Sequence, residues 1–207
     1  LVGIRPSRTY KFLIITTPVG HYYSEPVNVK IEKSYTRAAS GGVGRAKAAG
    51  NYAASMYPAL QAQKEGYHQL VWTDAAEHKY IEESGTMNIV FQIGDKLITP
   101  DENHDTILRG ITKRSVFEIA EKWGVTVEER MITVAEIIEA AENGSLKDAF
   151  GAGTAATIAP IAMIGYEGNK YMLPPVEERL LSNKIKKYLG DLKTGRIADE
   201  FGWNLLV

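Results

Sequence analysis

The chain has 207 residues, 44% of them hydrophobic, enough for one compact domain that buries about 70% of its unfolded surface. Lys and Arg number 24 against 25 Asp and Glu, and the basic residues are scattered, so charge gives no case for nucleic acid or a membrane surface as partner. Cysteine is absent, which excludes disulfides, thiolate metal sites and cysteine nucleophiles and fits a reducing cytoplasm, and no stretch reads as a signal peptide or membrane span.

In chain order, the first residues LVGIRPSRTY begin without an initiator methionine and read as a connector, so the expectation is a piece of a longer protein. Tyr10 to Val19 (YKFLIITTPV) predicts a strand. GGVGRAKAAGNY, residues 41 to 52, is a loop of small residues, and a helix follows over Asn51 to Glu65, where Pro58 predicts a kink or a late start. HQLVWTD predicts a strand. MNIVFQI and KLITP flank Gly94-Asp95 as a hairpin with a two-residue turn. Helical spacing covers Lys113 to Trp123, closed by Gly124, and Val134 to Glu142, opened by Thr133 with Glu136 as a capping box. VTVEERM and the pair ATIAPIAMIGYEG with NKYML complete the strands, and a last helix is expected over Glu177 to Leu189. Without repeats, low-complexity segments or linkers, residues 1 to 207 read as one domain of mixed α and β structure.

The chemistry concentrates in four places. Lys47 is surrounded by Gly41, Gly42, Gly44, Gly50, Ala46, Ala48 and Ala49, which leaves room for a flat ring to approach backbone and amine. A lysine amine whose neutral form is favoured by desolvation or a neighbouring cation is a nucleophile toward carbonyls, pyridoxal phosphate above all; a solvated loop lysine is the alternative. In YIEESGTMN, Glu82 and Glu83 face opposite ways under strand alternation. Glu83 is chosen as the inward carboxylate able to pair with a pyridine nitrogen, and Glu82 as the solvated one. In ILRGITKRS, Gly110, Ile111 and Thr112 open a helix, where free amides and the dipole suit a phosphate, unless Thr112 is simply a cap. In GAGTAATIAP a turn of small residues offers amides to a second anion such as a substrate carboxylate, or else is a tight strand connection. His21, His68, His78 and His104 are scattered and argue against a metal site; Trp72, Trp123 and Trp203 are expected in the core or an interface.

Those four motifs, GGVGRAKAAGNY, EESGTMNIVF, TILRGITKRS and GAGTAATIAP, with the tail TGRIADEFGW, resemble the branched-chain amino acid aminotransferases of the fold type IV pyridoxal-phosphate group. The resemblance spans nearly the whole chain. It implies the family's large domain, an α+β fold with a β-barrel-like core flanked by helices, and a homodimer in the complete enzyme. It implies that Lys47 forms the Schiff base with pyridoxal 5'-phosphate and carries the proton, that Glu83 pairs with the pyridine nitrogen, and that Tyr52 bonds the phenolic oxygen. Arg37 and Leu108 are implied close to the ring, Gly110, Ile111, Thr112 and Thr154 around the phosphate, and Tyr22, Thr86, Thr154 and Ala155 around the substrate. The implied reaction passes the amino group of L-leucine, L-isoleucine or L-valine to 2-oxoglutarate. Related activities that keep Lys47 and Glu83, D-amino acid transamination and aminodeoxychorismate lyase chemistry, remain alternatives, as does a silent cofactor-binding fragment. The family's smaller N-terminal domain has no counterpart here, Ala156 and Ala159 occupy the sites of a redox cysteine pair in mammalian relatives, and Arg109 stands where the family commonly has proline.

Overall fold

The computed structural model describes residues 3–18, 20 and 23–205. Nine strands, β1 (Val27–Ile31), β2 (Gln69–Thr73), β3 (Ile81–Ser84), β4 (Met87–Ile93), β5 (Lys96–Thr99), β6 (Val127–Glu129), β7 (Leu146–Gly153), β8 (Thr157–Tyr166) and β9 (Asn169–Met172), form one mixed sheet. Among the described residues four helices accompany them: α1 (Ala49–Lys64), α2 (Ile111–Lys122), α3 (Val134–Glu142) and α4 (Leu180–Lys193). The path β3-β2-β1-β8-β7-β4 closes on itself because β3 also pairs with β4, so six strands form a barrel, with β5 and β6 continuing outward from β4 and β9 from β8. Closure removes the free edges these strands would otherwise present. The expected β-barrel-like core flanked by helices is the observed fold.

Alternation along the strands builds the core. Ile89 and Phe91 of β4 point into a cluster with Val27, Val29, Ile31, Val71, Ile161 and Ile137 of α3. Val90 points the other way, into the layer formed by Val116, Phe117 and Ile119 of α2 with Ile185 and Leu189 of α4. A third cluster seats α1 on the sheet through Ala62, Tyr67, Trp72 and Met163. Half of the expected capping box is present: the Glu136 amide donates to the Thr133 hydroxyl at 3.1 Å, while the Glu136 carboxylate pairs with Arg130 rather than with the Thr133 amide; the Gly94-Asp95 hairpin has Ile93 opposite Lys96 with Gly94 at φ 61°. Among the described residues, no helix is long and apolar enough to cross a membrane.

Three expectations need correction. Residues 10 to 18 form no strand, and Phe12, Leu13, Ile14 and Ile15 are exposed; β propensity becomes a strand only where a neighbour supplies a hydrogen-bonded ladder, and no described strand pairs with this segment. Val19 lies outside the described residues. The first helix starts earlier than expected, at Ala49, and runs through Pro58. The last helix is split, with a 3₁₀ turn over Val176–Glu178 and a break at Arg179 before α4. The buried Arg179 guanidinium explains the break: it donates to the Pro174 carbonyl at 2.6 and 2.8 Å and to Asp148 Oδ1 at 2.9 Å, which holds Arg179 itself out of helical geometry. Asp148 and Arg179 are an ion pair with no solvent on either side chain.

Candidate active site

The β3–β4 hairpin fixes the first half of the site. Gly85, at φ 58°, turns the chain so that Ser84 faces Met87 and Glu83 faces Asn88 across the ladder. Glu83 is 3% exposed, and its Oε1 accepts the Leu108 amide at 2.7 Å. Asn88 Nδ2 lies 3.4 Å from the same oxygen and donates to the Leu108 carbonyl at 2.8 Å. Behind this pair the Arg37 guanidinium approaches Glu83 Oε2 at 3.5 Å and donates to the Thr106 carbonyl. Burial is the dominant influence on Glu83 and pushes its carboxyl up to about 7, against the opposing pull of Arg37, the Leu108 amide and Lys47.

Lys47 sits at the mouth of this half. It precedes Ala48, the N-cap of α1, and its loop is stapled by Asn51 Nδ2, which donates to the carbonyls of Val43 and Ala46 at 2.8 and 2.9 Å. The Arg45 amide donates to the Asp105 carbonyl at 2.8 Å, and Gly41 to the Asp105 carboxylate at 2.6 Å. A Cβ at Gly44 would lie 2.7 Å from the Thr106 backbone, so glycine there lets the lysine loop press against the segment that also carries Leu108.

The second half is anion chemistry. Gly110 is the N-cap of α2, no side chain caps the helix, and no acidic residue lies in its first turn, so the amides there are available to an anion. A Cβ at Gly110 would stand 1.9 Å from Asn88 Oδ1, which ties this turn to the strand carrying Glu83. Thr154, Ala155 and Ala156 form the turn between β7 and β8, where Gly153 pairs with Thr157. Thr157 takes a left-handed φ of 58°, rare for a β-branched residue, and its hydroxyl accepts from Lys193 Nζ at 2.9 Å.

One open cleft of about 1100 Å³ is lined by Lys47, Tyr52, Glu83, Thr86, Leu108, Gly110, Ile111, Thr112, Thr154 and Ala155. Arg37 borders a small neighbouring cavity beside Glu83 rather than the cleft itself, and Tyr22 lies outside the described residues. Glu82 is not solvated as expected: alternation does turn it to the opposite face, but the loops around Asp74 and Pro100 cover that face and leave it 6% exposed. Asn88 and Met87 also border the cleft and were not singled out in the sequence, and so does Arg109, noted there only as a departure from the family's usual proline. For Asn88 a signal existed, an amide opposite the chosen carboxylate in a two-residue hairpin.

Residues 3–164 match the amino-transferase class IV family. The chain belongs to the class IV aminotransferases. It is 42% identical over 205 residues to branched-chain-amino-acid aminotransferase 2 of Bacillus subtilis, covering 98% of this chain and 56% of that relative. It is 41% identical over 211 residues to a probable branched-chain-amino-acid aminotransferase of Staphylococcus aureus, covering 100% of this chain and 59% of that one. The fold superposes on a branched-chain aminotransferase of the archaeon Thermoproteus uzoniensis with a TM-score of 0.75 at 28% identity, covering 90% of this chain and 58% of the other. For the Escherichia coli branched-chain amino acid aminotransferase the TM-score is 0.73 at 26% identity, with 90% and 59% covered. This class IV chain therefore spans somewhat more than half the length of the relatives it matches.

The donor set of this class IV aminotransferase fits pyridoxal phosphate. An amine, a buried carboxyl held near neutrality and an uncapped helix start line one cleft. The approach of Asn88 to Gly110 keeps the last two in register.

Proposed function

We propose that this chain is the cofactor-binding large domain of a pyridoxal-phosphate transaminase acting on L-leucine, L-isoleucine and L-valine, with 2-oxoglutarate as amino acceptor. The observation that carries the reading is Lys47 and Glu83 lining one cleft together with two separate anion-receiving turns, at Gly110–Thr112 and Thr154–Ala156. The names borne by relatives at 41–42% identity support the substrate class.

When bound, the cofactor supplies an aldehyde carbon and a protonated pyridine ring that accepts electrons. Lys47 would hold the cofactor through its aldehyde carbon, the carbonyl oxygen leaving as water, and would move the proton to and from the substrate Cα. Glu83, its carboxyl pushed up to about 7, would pair with the ring nitrogen, and the Leu108 amide and Asn88 fix the orientation of its oxygens. Tyr52 donates to the phenolic oxygen. The first-turn amides of α2 and the Thr112 hydroxyl hold the phosphate, with Thr154 opposite, and the Thr154–Ala155 amides take the substrate carboxylate. Thr86, at the cleft wall beside the hairpin turn, borders the substrate. The share of the relatives beyond this chain completes the pocket over the aliphatic side chain, in a homodimer.

The test is an absorbance titration with pyridoxal phosphate, followed by L-leucine, L-isoleucine, L-valine and D-alanine as single-turnover amino donors. The expected result is a visible band that the branched L-amino acids bleach and D-alanine leaves intact, and that Lys47→Ala abolishes. Bleaching by D-alanine alone, or an unaltered band in Lys47→Ala, contradicts the proposal.

A further inference from the structure

Two cationic side chains line the lysine cleft, Lys47 and Arg109. Lys47 is assigned to the aldehyde, which leaves Arg109 without a partner. We infer that Arg109 is a phosphate-binding residue of this chain, its guanidinium closing on the phosphate monoester from the cleft side while the first-turn amides of α2 hold it from below. This role rests on the pyridoxal-phosphate reading of the cleft and adds to it a residue that reading does not use.

Charge sets the need. A phosphate monoester carries about −1.5 to −2 at neutral pH, whereas a helix N-terminus presents the equivalent of roughly +0.5. The turn amides and the Thr112 and Thr154 hydroxyls add hydrogen bonds but no net charge, so most of the phosphate's charge falls to a side chain. The other cations near the start of α2 are engaged or placed elsewhere. Lys113 is wholly buried between Glu102 at 2.7 Å and Glu129 at 3.2 Å. Arg37 is turned to Glu83 and to the Thr106 carbonyl, beside the small neighbouring cavity. Arg114 is exposed and does not line the cleft. Arg109 is exposed, does line the cleft and, among the described residues, has neither an ion-pair nor a hydrogen-bond partner.

The backbone roots this side chain beside the anion turn. Leu108, which precedes it, is pinned at both polar groups: its amide donates to Glu83 Oε1 at 2.7 Å, and its carbonyl accepts from Asn88 Nδ2 at 2.8 Å. Gly110, which follows, is the N-cap of α2, its Cα about 3.8 Å from that of Arg109. Only the side chain is left to order when the anion arrives. A guanidinium offers two parallel N–H donors to two phosphate oxygens, a fork that an ammonium lacks. A substrate carboxylate fits the same fork with about half the charge, so the experiment separates the two anions.

Visible-absorbance titrations of wild type, Arg109→Lys and Arg109→Gln with pyridoxal phosphate, and with pyridoxal, which lacks the phosphate, give two affinities for each protein. In Arg109→Gln the affinity for pyridoxal phosphate is expected to fall about tenfold, the lower end for a hydrogen bond to a charged group in an open cleft. Its affinity for pyridoxal stays at the wild-type value, and so does its affinity for 2-oxoglutarate at saturating cofactor. Arg109→Lys, which keeps the charge and loses the fork, lies between. Inorganic phosphate competes with pyridoxal phosphate in wild type and less well in Arg109→Gln. An equal loss for both aldehydes, no loss for either, or a loss confined to 2-oxoglutarate overturns the role of Arg109 and leaves Lys47 as assigned. No visible band with either aldehyde in wild type removes the proposed cofactor site and the role of Arg109 together.

Discussion

Replacing Glu83 by glutamine removes a titration whose position burial sets far from its ordinary value. The Glu83 carboxyl lies at about 7 in the folded chain against 4.5 ordinarily. A raised carboxyl means that the folded state binds more protons than the unfolded state between those values, so the wild-type protein loses stability as pH rises through that window. Integrating the difference gives a loss of roughly 2–3 kcal/mol between pH 5 and pH 8. Glutamine mimics the protonated side chain: it still accepts the Leu108 amide and leaves Arg37 unpaired just as the protonated acid does. The Glu83→Gln chain without cofactor therefore lacks this component, and its stability relative to wild type climbs by roughly 2–3 kcal/mol over the same range. Urea unfolding at several pH values, with m-values checked for constancy, measures the difference. A pH-independent difference, or one that favours wild type increasingly as pH rises, refutes the reasoning, because either would mean that Arg37 overrides burial.

Gly110→Ala places a Cβ 1.9 Å from Asn88 Oδ1; the turn must shift, and affinity for pyridoxal phosphate is expected to fall about tenfold, which unchanged absorbance titrations would contradict. Arg179→Met strands the Asp148 carboxylate in a site without solvent and is expected to cost about 3–5 kcal/mol in urea unfolding, most of it recovered by adding Asp148→Leu. Lys193→Met removes the hydrogen bond that secures left-handed Thr157 behind the Thr154–Ala156 turn. Binding of a 2-oxo acid should then weaken about three- to tenfold while Lys193→Arg retains it; equal affinity in all three proteins argues against the turn as the carboxylate site.

Much of this architecture is legible in the chain because local chemistry decides it. Thr133 caps α3 in the structure as its position predicts, and Gly94-Asp95 turns its hairpin without help from distant residues. What escapes the sequence is decided at long range. The strand VNVKI, residues 27 to 31, is short, and its place is fixed by β2 and β8, which lie far away in the chain. LKDAFGAG hides β7 because Gly151 and Gly153 are there to admit the Met87 side chain, whose atoms would meet a Cβ at 2.5 and 3.2 Å. YKFLIITTPV has strand composition and no ladder. The pair Glu82-Glu83 shows the same boundary within the site. Alternation predicts that the two carboxylates part, but only tertiary packing determines that both faces are covered, which gives the chain two buried acids where one was expected.

The central claim, that Lys47 is the residue that takes the cofactor, is tested most directly by borohydride reduction of the chain incubated with pyridoxal phosphate, followed by peptide mass spectrometry. The account predicts a stable phosphopyridoxyl adduct on Lys47 at unit stoichiometry, with the other lysines unmodified. An adduct seated mainly on another lysine, or full modification elsewhere in a Lys47→Ala chain, would contradict it.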